Sequence, residues 1–306
     1  MHTRRLAAFA LLVTVGSVGC VRQSDWQAAP QLLYNDHALE LRRSLESGIE
    51  AVSGGGGSNL GEPTGWATLF GKFTINGSPP SRAPLSITKD QNVCAPGGKQ
   101  VLSEEVVVSP DGGIKDVLIY VSSKLPQDDP KWEHESYAAQ KYGDVLFDQK
   151  ECVFLTHLAT MRSTQTLKVK NSDSIGHNTN LDSKRGARSA NFSVPNGKIL
   201  DYEPGAASKS GPFSVNCSIH PWMKANMMVF DHPYSAITKP DGSFEIANIP
   251  AGVELEFRVW QEAAGFLQNV TVNGKTEPWS KGKFKLPLSN DERVELNVVV
   301  DSSSFQ

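Results

Sequence analysis

The sequence predicts an all-β protein made of two β-sandwiches, preceded by a signal peptide, one helix and a glycine-rich linker. From Trp66 onward, short segments in which apolar and polar residues alternate follow one another along the chain. Asn-Gly, Asp-Gly and Pro-Ala-Gly sequences separate these segments, as is typical of turns between antiparallel strands. Strand-like and helix-like segments do not alternate, so a parallel α/β fold is not expected.

Composition narrows the class of protein. The chain has 306 residues, 39% of them hydrophobic, and a formal net charge of −3. This length suits two modest domains. Nucleic-acid binding requires a basic surface, so the near-neutral charge gives no reason to expect a nucleic-acid partner. No catalytic triad order, phosphate-binding glycine loop or carboxylate pair stands out, and we do not expect an enzyme.

Residues 1–20 have the layout of an export signal. The basic segment MHTRR precedes the apolar stretch LAAFALLVTVG, which is too short to span a bilayer as a stable helix. The segment ends in GSVGC, which resembles a bacterial lipoprotein cleavage site with Cys20 as the lipidated residue, although Ser17 stands where that pattern prefers leucine. We expect export to the periplasm or cell envelope, with a lipid on Cys20 as the only membrane anchor. The alternative is a secreted soluble protein with an unmodified Cys20.

Residues 21–65 are predicted to hold the folded part away from a membrane surface. Leucine and isoleucine recur at roughly helical spacing through residues 30–50, which predicts one amphipathic helix. The stretch SGGGGSNLGEP at residues 53–63 is rich in glycine and serine and has no means of forming a core. It is predicted to be a flexible linker.

The strand signals divide the remaining chain into three parts. Residues 66–100 are a β segment that is a candidate to pair with the C-terminal sandwich. Residues 101–234 are predicted to form one sandwich, to which the apolar runs at 106–108 and 117–121 contribute strands. Residues 235–306 are predicted to form a smaller sandwich. Its sequence DGSFEIANIPAG resembles the transthyretin-like or carboxypeptidase-regulatory-like family, which is mostly non-catalytic and implies scaffolding or interaction.

The loop sequence CSIHPWM places three metal-binding side chains within seven residues: Cys217, His220 and Met223. Upstream, His177 follows the alternating segment QTLKVKNSD. Two imidazoles, one thiolate and a weak axial thioether are the ligands of a mononuclear copper site that carries electrons. Zinc prefers four strong ligands, and a thioether is a poor fourth. The alternative is that these are ordinary core and loop residues, since cysteine and methionine are common in cores.

The pair GHN at 176–178 and CSIHPWM at 217–223 together resemble the cupredoxins, the blue copper proteins, in their short-loop amicyanin type. The resemblance implies a cupredoxin-like Greek-key β-sandwich and one type 1 copper ion. It also implies that His177, Cys217, His220 and Met223 are the ligands and that Asn178 stiffens the ligand loops. His220 would present its edge at the surface, where Pro221 and Trp222 would form a docking face for a redox protein such as a cytochrome or a copper or quinone dehydrogenase.

The predicted export bears on how the four cysteines are used. Export means an oxidising environment, in which disulfides persist. If Cys20 carries lipid and Cys217 binds a metal, Cys94 and Cys152 remain and would form one disulfide, although sequence alone does not fix the pairing.

Taken together, these features predict an exported blue copper protein that carries single electrons at the cell envelope. Two alternatives stay open. One is an envelope-anchored scaffold or adhesion protein with structural copper or none, and the other is copper storage.

Overall fold

The computed structural model describes residues 60–306, and in this range it is built almost entirely of strands and loops. The prediction of an all-β fold class is confirmed. The predicted signal, Cys20, the predicted helix and most of the linker lie outside the described residues. Four short helical segments occur in the described range, at Gln91–Cys94, Pro96–Gly98, Glu135–Gln140 and Ser302–Phe305. None of the described helices has the length and apolar character needed to cross a membrane.

Nineteen strands make up the described chain. They are β1 (Gly65–Asn76), β2 (Leu118–Val121), β3 (Asp144–Lys150), β4 (Val153–Phe154), β5 (Leu158–Arg162), β6 (Thr166–Asn171), β7 (His177–Leu181), β8 (Ala190–Val194), β9 (Ile199–Tyr202), β10 (Phe213–Asn216), β11 (Lys224–Phe230), β12 (Ser235–Ile237), β13 (Ser243–Ala251), β14 (Glu254–Gln261), β15 (Gly265–Phe266), β16 (Val270–Val272), β17 (Lys275–Glu277), β18 (Lys283–Pro287) and β19 (Arg293–Asp301).

The first sandwich consists of strands β3 to β11. One sheet has the order β4-β3-β6-β9 and the other β5-β11-β10-β7-β8. Every second residue of β6 is buried, as expected for a strand with one face on a core. Leu167 and Val169 of β6 and Phe147 of β3 belong to the same apolar cluster as Met161 and Val215 of the other sheet. This sandwich carries the predicted metal ligands.

The second sandwich combines β1 and β2 with strands β12 to β19. Its sheets have the orders β13-β1-β19-β16-β17 and β12-β2-β14-β15, and β18 also pairs with β14. Strand β1 lies between β13, to which it is antiparallel, and β19, to which it is parallel. The β segment at the start of residues 66–100 therefore does pair with C-terminal strands. Alternate residues of β14 point into the core, among them Leu255, Phe257 and Val259.

Two strand predictions differ from the structure. We expected residues 117–121 to belong to the sandwich with the metal ligands, but β2 is hydrogen-bonded to β12 and β14 of the second sandwich. The run at 106–108 forms no strand and contributes an isolated bridge between Val108 and Ile114. The first sandwich is thus completed by strands within residues 144–230. The other domain boundaries stay predictions.

Strand β2 is buried on both faces because the two sandwiches pack against each other there. Ile119 and Val121 face the core of the second sandwich. Leu118 and Tyr120 form a separate cluster with Leu158 of β5 and with Met228 and Phe230 of β11. This continuous burial explains why the sequence LIYV is apolar throughout.

Candidate metal centre

Strand pairing brings the two ligand-bearing segments to one end of the first sandwich. Strands β7 and β10 are antiparallel, with Leu181 opposite Val215 and Asn180 opposite Asn216. The beginning of β7 therefore lies beside the end of β10. His177 is the first residue of β7, and the CSIHPWM loop follows β10 directly. Adjacent strands in an antiparallel sheet thus place His177 next to the loop, although they are far apart in sequence.

Three of the predicted ligands meet in a buried cluster. The Nδ1 atoms of His177 and His220 are 2.9 Å apart, and the Sγ of Cys217 is 4.0 Å from the Nδ1 of His220. Ligand atoms of all three residues lie within 4.8 Å of one another. Their exposed fractions are 1% for His177, 2% for Cys217 and 0% for His220. Two imidazoles and one thiol therefore point into the same small, dry space.

Met223 closes the loop that carries the other two ligands. Its N–H donates to the carbonyl of His220 at 2.9 Å, and the N–H of Cys217 donates to its carbonyl at 3.3 Å. The side chain is buried in the same apolar cluster as Cys217. The backbone hydrogen bonds of this turn hold Met223 close to Cys217 and His220.

Asn178 holds the start of the loop against β7. Its Oδ1 accepts the N–H of Ser218 at 2.7 Å and that of Ile219 at 3.3 Å. Its own N–H donates to the Sγ of Cys217 at 3.5 Å, and its Nδ2 donates to Asn191. These contacts tie the loop that carries Cys217 to the beginning of β7.

The Nε2 atom of each histidine, which points away from the cluster, lies against an aspartate carboxylate. The Nε2 of His177 is 2.7 Å from the Oδ2 of Asp173, and the Nε2 of His220 is 2.9 Å from the Oδ2 of Asp90. An ionised carboxylate only accepts hydrogen bonds, so each Nε2 carries the proton. The two Nδ1 atoms face each other at 2.9 Å, so one of them carries a proton in the metal-free protein, and binding a metal would require loss of that proton.

Sequence reasoning missed both carboxylates. Asp173 lies four residues before His177, and that short spacing was an available signal. Asp90 lies 130 residues from its partner, and nothing in its local sequence indicates the contact. The neighbourhood of His220 also differs from the expectation that its edge reaches the surface, because the ring is fully buried. The physical reason is that Asp90 and its segment cover it.

The surroundings favour a thiolate in the metal-free protein. Burial alone would raise the pKa of Cys217, but a hydrogen bond with His177 and backbone N–H groups of the loop lower it to about 6. Burial alone would lower the pKa of His177, but hydrogen bonds with Asp173 and Cys217 raise it to about 9. At neutral pH the site therefore holds a thiolate beside an imidazolium. Binding a metal cation requires release of the imidazolium proton.

The disulfide lies against this site. Cys94 and Cys152 are bonded, which is the pair that the cysteine count leaves over. Trp222 connects the disulfide to the loop, because its indole N–H donates to the carbonyl of Cys152 at 3.1 Å and its ring lies 5.1 Å from that of His220. Trp222 is half-buried and Pro221 is exposed. Of the predicted docking face, these two residues reach solvent and His220 does not.

The donor set fits copper better than other metals. A thiolate and two imidazole nitrogens combine soft and borderline ligands, which suit both Cu(I) and Cu(II). Two other groups of cysteine, histidine and aspartate lie close together here, but both use Cys152 or Cys94, whose sulfurs are committed to the disulfide. The cluster of His177, Cys217 and His220 is therefore the one with a free thiolate among those described.

Comparison with known proteins gives partial likenesses. No protein-family model and no curated protein matches the sequence. A copper-containing nitrite reductase from Thermus scotoductus matches with 18% identity and a TM-score of 0.26, over 28% of this chain and 22% of that one. An oxidized mutant of amicyanin matches with 15% identity and a TM-score of 0.24, over 29% of this chain and 83% of that one. A purple cupredoxin from Nitrosopumilus maritimus matches with 15% identity and a TM-score of 0.23, over 29% and 99%.

Proposed function

We propose that this chain is a type 1 copper protein that carries single electrons at the cell envelope, where the lipid on Cys20 would anchor it. The observation that carries the proposal is the meeting of two imidazole Nδ1 atoms and a thiolate in one buried cluster. His177, Cys217 and His220 would hold the metal, and Met223 would supply the weak axial thioether.

The residues around the cluster support reversible one-electron chemistry. When bound, copper would supply a centre that gains and loses one electron. Antiparallel pairing of β7 with β10 and the hydrogen bonds of Asn178 restrain the ligands. The ligands would therefore move little when the oxidation state of the metal changes. The surrounding apolar core excludes water from the thiolate. The thiolate is buried, which leaves a substrate little access to it and favours a carrier over an enzyme.

The partner is proposed to be another redox protein, a cytochrome or a copper or quinone dehydrogenase. Because His220 is buried, we propose that such a partner touches Pro221 and Trp222, which lie beside the exposed Ser218 and Ile219 of the same loop. The half-buried Trp222 ring lies 5.1 Å from the His220 ring. A small, partly apolar contact suits an encounter that must also dissociate quickly.

The test is an optical and EPR spectrum of the copper-loaded protein beside a Cys217→Ser variant. We expect intense absorption near ~600 nm from thiolate-to-copper charge transfer, and its loss in the variant. Reversible reduction and reoxidation would support electron transfer. A colourless protein would favour the scaffold alternative, and bound copper that resists redox cycling would favour storage.

A further inference from the structure

The outward edge of His220 is closed by a carboxylate. The imidazole has no exposed surface, and its Nε2 lies 2.9 Å from the Oδ2 of Asp90. The side chain of Asp90 is itself 43% exposed. Asp90 therefore stands between the histidine and solvent.

Asp90 is held in place by its own backbone. It adopts the left-handed conformation, with φ of 49° and ψ of 39°, which is uncommon for a residue other than glycine. Its carbonyl accepts the N–H groups of Val93 and Cys94, both at 2.9 Å. Cys94 is bonded to Cys152, so a covalent link anchors this short turn to the first sandwich.

The same disulfide adjoins the carboxylate of the other histidine. Asp173 accepts the N–H groups of Glu151 at 2.6 Å and Cys152 at 2.9 Å, as well as the Nε2–H of His177. One covalent bridge thus ties together the two segments that hold the imidazoles from outside. The contact of His177 with Asp173 is local in sequence, whereas that of His220 is with Asp90, which precedes all strands of the first sandwich.

We infer that Asp90 is a positioning residue of the metal centre, which fixes the Nε2–H form of His220 and turns its Nδ1 lone pair toward Cys217 and His177. This inference rests on the proposed copper site. A carboxylate that accepts the distal N–H makes an imidazole a stronger donor and orients its ring. A stronger donor stabilises the more highly charged metal ion, so Asp90 should favour Cu(II) over Cu(I).

The test uses the copper-loaded variants Asp90→Ala and Asp90→Asn, with Asp201→Asn as the control. Asp201 is an exposed aspartate of β9 that pairs with Lys168, so the control removes the same charge from a surface ion pair. We expect Asp90→Ala to weaken Cu(II) binding by about 10- to 100-fold. A tenfold loss of Cu(II) affinity relative to Cu(I) raises the reduction potential by about 59 mV.

Asparagine can still accept the Nε2–H through its Oδ1, so Asp90→Asn should show a smaller rise than alanine. Asp201→Asn should keep the wild-type potential. Equal potentials in wild type and Asp90→Ala would overturn the inference and leave the blue copper proposal standing.

A second measurement needs no metal. Long-range proton–nitrogen NMR of the copper-free protein reports which nitrogen of His220 carries the proton. We expect the Nε2–H form in the wild type and a mixture of forms in Asp90→Ala. A colourless wild type would refute the copper proposal, while the NMR measurement would still decide whether Asp90 fixes the Nε2–H form of His220. An unchanged His220 signal in Asp90→Ala would refute the inference about Asp90.

Discussion

The two sandwiches bury different kinds of side chain. Most of the buried polar residues in the described chain belong to the first sandwich, namely Gln149, Arg162, Asn171, Asp173, His177, Thr179, Ser183, His220 and Asn226. In the second sandwich they are Thr238 and Gln261, which hydrogen-bond to nearby backbone. Burying polar groups is costly. Three of the nine, Asp173, His177 and His220, are hydrogen-bonded to one another, and there the sequence gives up stability for a site.

The largest expected effect separates two buried histidines. His177→Gln removes an imidazole from the cluster, and we expect the absorption near ~600 nm to disappear. His232→Gln alters a histidine that is also buried but lies where the chain passes between the sandwiches, beside the N–H of Tyr234. It should keep the absorption. Optical spectra of both copper-loaded variants make the comparison, and a blue His177→Gln protein would remove His177 from the ligand set.

The next effect concerns the acidity of the thiol. In the metal-free protein Cys217 should ionise at a pH of about 6, instead of near 9, because His177 and loop N–H groups stabilise the thiolate. The thiolate is therefore present above that pH and lost as the pH falls through it. Ultraviolet thiolate absorbance, measured as the difference from Cys217→Ser, gives the midpoint. An ordinary thiol midpoint would mean that the cluster is not preformed.

A core truncation in the second sandwich should act on stability alone. Leu255 is fully buried there, and Leu255→Ala should cost about 2–5 kcal/mol of unfolding free energy through lost burial and a cavity. Denaturant unfolding gives the cost, and the spectrum of the copper-loaded protein should not shift. A spectral shift would show that the second sandwich shapes the metal centre.

The smallest expected effect is on unfolding free energy and concerns a buried polar residue whose role is structural. Thr238 donates to the carbonyl of Ile114 and accepts the N–H of Val117. Thr238→Val leaves both groups unpaired and should cost about 1–3 kcal/mol without changing the copper spectrum. Thr271→Val, at a half-buried position of β16, serves as the control and should change unfolding much less. Equal costs would mean that the hydrogen bonds of Thr238 contribute little.

Only part of the three-residue cluster is local in sequence. Cys217 and His220 lie in one short loop, and His177 begins a strand whose neighbour leads into that loop. Residue type and spacing place Cys217 and His220 together, and the resemblance of GHN and CSIHPWM to the cupredoxins added His177 to the prediction. The same local logic predicts the turns and the alternating strands, and hence the fold class.

Asp90 and the position of β2 were not predictable in this way. Asp90 reaches His220 through a turn anchored by a disulfide, and no periodicity records such a contact. The run LIYV of β2 is apolar on both faces, so alternation cannot assign it to either sandwich. Strand β2 forms hydrogen bonds with strands of the second sandwich, and one of its faces packs against the first sandwich. Only the tertiary structure distinguishes these two kinds of contact.

The chain order of β2 has a consequence for the order in which the two sandwiches fold. Strands β1 and β2 are made first, yet their partners β12, β13, β14 and β19 follow the whole first sandwich. A contiguous sandwich can complete itself as it emerges, whereas an interrupted one must wait for its distant half and close a long loop. Ile119 and Val121 of β2 thus stay exposed until late, whereas Leu118 and Tyr120 on its other face can already pack against β5 and β11 of the finished first sandwich.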